Sequence, residues 1–123
     1  MTPNLSSSGT APALPTHDPQ VVCAVYHQAI ELIGKRWTGA IVGVLLRGPR
    51  RFHALVNAVP GMSERLCADR LHELEVTGLV SRRVLPGPPV GVEYALTEAG
   101  SDLEESLSSL GKWAHRWLDP GTR

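Results

Sequence analysis

The chain of 123 residues is 42% hydrophobic and 20% charged, with 12 Lys plus Arg balanced by 12 Asp plus Glu, figures that suit one soluble domain. At this length roughly two thirds of the surface exposed by the unfolded form is buried on folding, so a core can form without disulfide or metal staples. Its apolar runs fall short of the roughly 18 to 20 residues that cross a bilayer, which excludes a membrane-spanning helix, and its aliphatic content is too high for a wholly disordered chain.

Residues 1–20 hold Pro3, Pro12, Pro15 and Pro19 among Ser, Thr, Gly and Ala with no periodic apolar face, the composition of a disordered arm. The arm has neither a basic n-region nor an apolar h-region, so it is no secretory signal and a cytoplasmic location is expected. Two cysteines, Cys23 and Cys67, are too few for a disulfide framework and fit a reducing compartment. The folded domain is expected over residues 21–119, with 120–123 as a tail.

From Val21 the pattern turns helical. Val22, Val25, Ala29, Leu32 and Ile33 recur at helical spacing and Gly34 sits where a C-cap belongs, which predicts a first helix to about Ile33. Thr38 is the expected N-cap of a second, buried helix over Gly39 to Leu46, ended by Gly48-Pro49; its β-branched residues also leave a buried strand open. A third helix is predicted over Arg51 to Ala58, closed by Pro60-Gly61. Ser63 caps a fourth that runs to about Thr77 and stops at Gly78.

The period then drops to two. Residues 79–85 and 92–96 alternate around Pro86-Gly87-Pro88-Pro89 and predict a two-stranded hairpin with a stiff tip. Thr97 caps a last helix in which Ala99, Leu103, Leu107, Leu110, Ala114 and Trp117 recur at steps of three and four. Its acidic residues, Asp102, Glu104 and Glu105, lie towards its N-terminus, and Lys112 and Arg116 lie towards its C-terminus, in keeping with the helix dipole.

Two short helices joined by a tight turn, with a hairpin after the second, are the plan of a winged helix-turn-helix, mainly α with a small β-hairpin wing. On the fourth helix, 100° per residue puts Cys67, Leu71 and Leu74 on one stripe facing the core. Arg65, Asp69 and His72, flanked by Ala68, lie opposite. Arg can donate two bonds to guanine and Asp can accept from cytosine, so this face suits a reader of base edges; an ordinary solvated face would look the same.

Charge is unevenly divided along the chain. Residues 34–83 carry nine basic side chains against four acidic, and residues 92–119 carry six acidic against two basic. The neutral total is thus a cancellation between a basic centre and an acidic C-terminal element. A basic patch at the helix pair would supply phosphate contacts, the alternative being scattered solvated charge.

Five runs in order carry a family resemblance: Leu32-Ile33-Gly34-Lys35-Arg36-Trp37-Thr38; Gly48-Pro49-Arg50-Arg51-Phe52; Pro60-Gly61-Met62-Ser63; Arg70-Leu71-His72-Glu73-Leu74-Glu75 with Gly78-Leu79-Val80; and Val92-Glu93-Tyr94-Ala95-Leu96-Thr97. Over about Cys23 to Trp113 the chain resembles the HxlR-type winged-helix transcriptional regulators, relatives of the MarR type. The resemblance implies a homodimer, held by its first and last helices, that binds a roughly palindromic operator on double-stranded DNA and regulates nearby genes, with repression the expected sign and activation left open. It places the recognition helix at Ser63 to His72, the start of the supporting helix at Arg50 and Arg51, and the wing at Val80 to Tyr94. The chain departs from the pattern at Gly91, where many relatives carry a basic residue, which leaves Arg82 and Arg83 as the wing's cations. The expected DNA-binding residues are therefore Arg50, Arg51, Ser63, Arg65, Ala68, Asp69, Arg70, His72, Arg82 and Arg83.

Cys23 matches a cysteine that in some members senses oxidants or electrophiles. A thiol in the first turn of a helix has its thiolate favoured by the dipole, and a small apolar filler is the other reading. Cys67, on the core stripe, reads as inert. Leu103, Leu107, Leu110, Trp113 and Trp117 are the expected dimer surface, or else a cover for the domain's own core. A small-molecule effector could lodge near Tyr26, Trp37 and Trp113. The five histidines show no metal spacing and no phosphate loop or nucleophile elbow is present, so neither cofactor nor enzyme activity is expected. A winged-helix module that binds protein rather than DNA is the alternative function.

Overall fold

The computed structural model describes residues 22–122; the expected arm at 1–20 lies outside the described residues. The described residues divide between Lys35 and Arg36 into two units. In the first, α1 (Ala24–Ile33) begins after Cys23, which is the N-cap rather than a first-turn residue and accepts a hydrogen bond from the His27 amide at its carbonyl. Gly34 is the C-cap, as its position in the sequence implied. No residue of α1 is buried, and Val25, Tyr26 and Ile30 are exposed.

The second unit holds α2 (Thr38–Leu45), β1 (Arg50–Arg51), α3 (Phe52–Ala58), α4 (Glu64–Val76), β2 (Val80–Leu85), β3 (Gly91–Leu96), α5 (Glu98–Ser101), α6 (Glu104–Trp117) and a 3₁₀ turn at Pro120–Thr122. Its core is Ile41, Val42 and Leu45 of α2, Leu55 of α3, Cys67, Leu71 and Leu74 of α4, Val80 and Tyr94 of the sheet, with Val59 and Met62 at the α3–α4 turn. The stripe expected on the fourth helix is therefore the buried one. The apolar run of residues 41–46 is helical, not a strand.

Four expectations are corrected. Trp37, not Thr38, is the N-cap of α2: Trp37 takes a left-handed conformation at φ 78°, which turns the chain one residue earlier and makes Thr38 the buried first residue of the helix. Arg51 does not begin α3. Arg50 and Arg51 pair with Tyr94 and Glu93 as a short edge strand, and extended Arg51 is the N-cap of a helix that starts at Phe52. The wing is consequently part of a three-stranded antiparallel sheet of order β1-β3-β2, not an isolated hairpin.

The last helix is the fourth correction. It is broken into α5 and α6 at Asp102 and Leu103, where the Leu103 amide bonds the Gly100 carbonyl in a tighter, three-residue step. Gly100 is pinned: a Cβ there would collide with the Leu79 carbonyl oxygen. Thr97 caps α5 by accepting from the Gly100 amide at 3.2 Å and donates to the Gly78 carbonyl at 2.6 Å. These bonds tie α5 to the end of the sheet, and α6 leaves that anchorage after the break. Gly78 itself, at φ 84°, ends α4 in the left-handed region that only glycine enters without strain.

Candidate nucleic-acid interface

The helix pair is α3 and α4. Ser63 caps α4 as expected, its Oγ accepting from the Leu66 amide at 3.1 Å, and Met62 beside it is buried and anchors the entry of the helix. With Cys67, Leu71 and Leu74 inward, α4 presents Glu64, Arg65, Ala68, Asp69, His72 and Glu75 to solvent along about 20 Å of helix, enough to lie in a major groove. The side chains of Arg65 and Asp69, one turn apart, have no hydrogen bond or ion pair among the described residues. At the N-terminal end of α4, Glu64 Oε2 lies 3.9 Å from His53 Nδ1 of α3, a contact that the sequence reading missed. Helical spacing cannot reveal it, because it joins two elements.

Arg70 does not belong to this outward row. Its side chain is 18% exposed; Nε donates to the Arg36 carbonyl at 3.0 Å and Nη1 lies 3.3 Å from Glu73 Oε2. Spacing along α4 puts it between the two faces, and the turn before α2 draws it inward.

Strand alternation sorts the remaining arginines into two pairs. Arg51 and Arg83 both stand opposite Glu93 and so share its sheet face, whereas Arg50 and Arg82 both stand opposite Tyr94 on the other. Arg83 Nη2 donates to Glu93 Oε1 at 2.7 Å, and Arg50 Nη1 donates to the carbonyls of Gly48 and Pro49. Arg82 is exposed. β1 leaves no mark in the sequence, since two residues are too few to show a period.

Cys23 is half-buried. Cys67 is fully buried, and burial pushes its thiol up from 9.0 to about 11, so it stays protonated at neutral pH. Trp37 is covered by the Arg36 guanidinium, 4.6 Å from the ring centroid, and its Nε1 is buried with no hydrogen-bond partner among the described residues. Tyr26 is exposed in the first unit. No group of three His, Cys, Asp or Glu among the described residues could hold a metal ion, and no described helix is long and apolar enough to cross a membrane.

A second surface lies on α6, which has no buried residue. Leu110, Trp113 and Trp117 are 55%, 53% and 49% exposed, while Leu103 and Leu107 are half-buried. Burial of this stripe by its own domain, the alternative left open by the sequence, is thus only partial.

The profile of the HxlR-like helix-turn-helix family matches residues 32–122. The chain belongs to the HxlR-like helix-turn-helix family. Two similar proteins come from Bacillus subtilis (strain 168). The chain is 41% identical to the HTH-type transcriptional regulator YvaP over 99 residues, 80% of this chain and 92% of that one. It is also 41% identical to the HTH-type transcriptional regulator YodB over 100 residues, 81% of this chain and 89% of YodB. The reduced form of YodB superposes with a TM-score of 0.72 at 40% identity, covering 81% of this chain and 98% of that one. The redox regulator HypR in its reduced form superposes with a TM-score of 0.73 at 30% identity, covering 78% and 95%. Helix pair and wing are thus part of a fold that the chain shares with YodB and HypR.

Proposed function

We propose that the chain is a DNA-binding transcriptional regulator that acts as a homodimeric repressor on a roughly palindromic operator, with α4 in the major groove. The observation that carries this reading is the outward row Arg65, Asp69 and His72 on a capped helix whose opposite face is locked into the core. The sheet arginines offer phosphate-facing charge, Arg51 and the Glu93-bound Arg83 from one face and Arg82 from the other, so that one face meets a given duplex, and residues 21–119 serve DNA binding and dimerisation together. The exposed stripe Leu110, Trp113 and Trp117 supports a dimer through α6, because a symmetric partner would remove it from water.

We further read Cys23 as the thiol through which oxidants or electrophiles release the DNA. Redox-responsive relatives support this, as does the contrast between half-buried Cys23 and Cys67 in the core. On this reading the protein is a regulator rather than an enzyme, and it meets its DNA in the cytoplasm.

A band-shift titration of the chain against its own upstream DNA and an unrelated duplex, at several salt concentrations, tests the proposal. Tighter binding to one sequence is expected, with affinity falling as salt rises. No preference among sequences would sink it, and no shift at any salt would point to the protein-binding module instead.

A further inference from the structure

Arg51 and Gly91 stand in an unusual relation on the sheet. The Cα of Arg51 is opposite Glu93, yet its guanidinium lies two residues further along β3, over the bare backbone of Gly91. A Cβ on residue 91 would stand 2.8 Å from Arg51 Nη1 and 3.4 Å from its Cζ, so only glycine leaves that place open. The carboxylate opposite it in register, that of Glu93, is held by Arg83 at 2.7 Å, and one carboxylate faces two guanidinia across the three strands. The Arg51 guanidinium has no hydrogen bond or ion pair among the described residues. It therefore carries an uncancelled charge, displaced along β3 towards the hairpin tip at residues 86–90. That tip, Pro-Gly-Pro-Pro-Val, contains no charged residue.

We propose that Arg51 is the phosphate-contacting cation of the wing, although it lies outside the hairpin in sequence, and that Gly91 is the positioning residue that lets it reach there. The inference rests on the DNA-binding reading above and deepens it. A guanidinium that passes close to a glycine backbone, with its nitrogens unengaged, is prepared to take a phosphate oxygen pair without first breaking an ion pair. The partner chemistry is the DNA backbone, so the contact carries no sequence information.

Binding of the full chain to its operator and to an unrelated duplex, measured across salt concentrations, tests the proposal with Arg51→Ala, Arg51→Lys, Gly91→Ala and the Arg51→Ala/Gly91→Ala double variant. Arg51→Ala is expected to weaken both duplexes by roughly five- to tenfold at 0.1 M salt and to lower the salt slope by about one per protomer. Arg51→Lys should restore most of the slope. Gly91→Ala meets only the movable end of a side chain, so it should fold with an unchanged unfolding midpoint and still weaken both duplexes. In the Arg51→Ala background it should do nothing more, because the two act through one contact. An Arg51→Ala chain with the wild-type slope, or a Gly91→Ala effect that persists without Arg51, overturns the proposal. A wild-type chain that shifts no duplex overturns the DNA-binding reading and the proposal with it.

Discussion

Arg70 of α4 donates through Nε to the carbonyl oxygen of Arg36 at 3.0 Å, across 34 residues of sequence, while its Nη1 meets Glu73 on its own helix. The Arg36 guanidinium in turn covers the Trp37 ring, so the turn that starts α2 is fastened to α4. Arg70→Ala is expected to lower unfolding stability by about 1 to 2 kcal/mol, the scale of a partly exposed bond from a charged donor. Denaturant unfolding measures this. Arg70→Lys should recover little, since one ammonium cannot hold both oxygens in the geometry of the guanidinium fork. A loss of DNA affinity with unchanged stability would return Arg70 to the DNA surface.

Arg65 and Asp69 should read bases. Arg65→Ala is expected to cost about 1 to 3 kcal/mol on the operator and to relax preference at one base position. Selection from a randomised half-site shows the relaxation. Equal weakening on every duplex would make Arg65 a phosphate contact instead.

The α6 stripe sets a prediction about assembly. Leu110→Glu and Trp113→Ala should shift sedimentation from dimer to monomer and weaken operator binding together, because paired half-sites need two copies. Their side chains are about half exposed within one chain, so far-ultraviolet dichroism should stay that of the wild type. A dimer that survives both substitutions lies on another face.

Thiol chemistry should separate the two cysteines. Cys23→Ser is expected to abolish release of DNA by diamide or a quinone, and Cys67→Ala to leave that release intact. In the native chain one thiol should react with a disulfide reagent at pH 7 and two after denaturation, since Cys67 is buried and protonated. Release that persists in Cys23→Ser removes this thiol from the mechanism.

Cys67 also predicts a pH dependence. Its folded value, about 11, lies above the ordinary 9.0, so the neutral thiol favours the folded state. That contribution is whole below pH 9 and is lost as pH rises towards 11. The unfolding midpoint of the wild type should fall more steeply over this window than that of Cys67→Ala. Parallel curves would show that the buried thiol does not govern the loss.

Much of this protein was legible in its sequence because the signals are local and repeat. Cys67, Leu71 and Leu74 recur with the period of a helix, Ser63 and Gly78 bound that helix, and residues 79–85 and 92–96 alternate as strands do. Those cues determined the helix pair, the wing and the outward row of α4 without reference to any distant residue. The tertiary structure alone decided the rest: the two-residue β1, the break between α5 and α6, the inward turn of Arg70 and the passage of Arg51 over Gly91. Each depends on one atom meeting another across a long stretch of chain. Such a contact leaves no period behind, because it is made once, by packing, and repeats nowhere in the sequence.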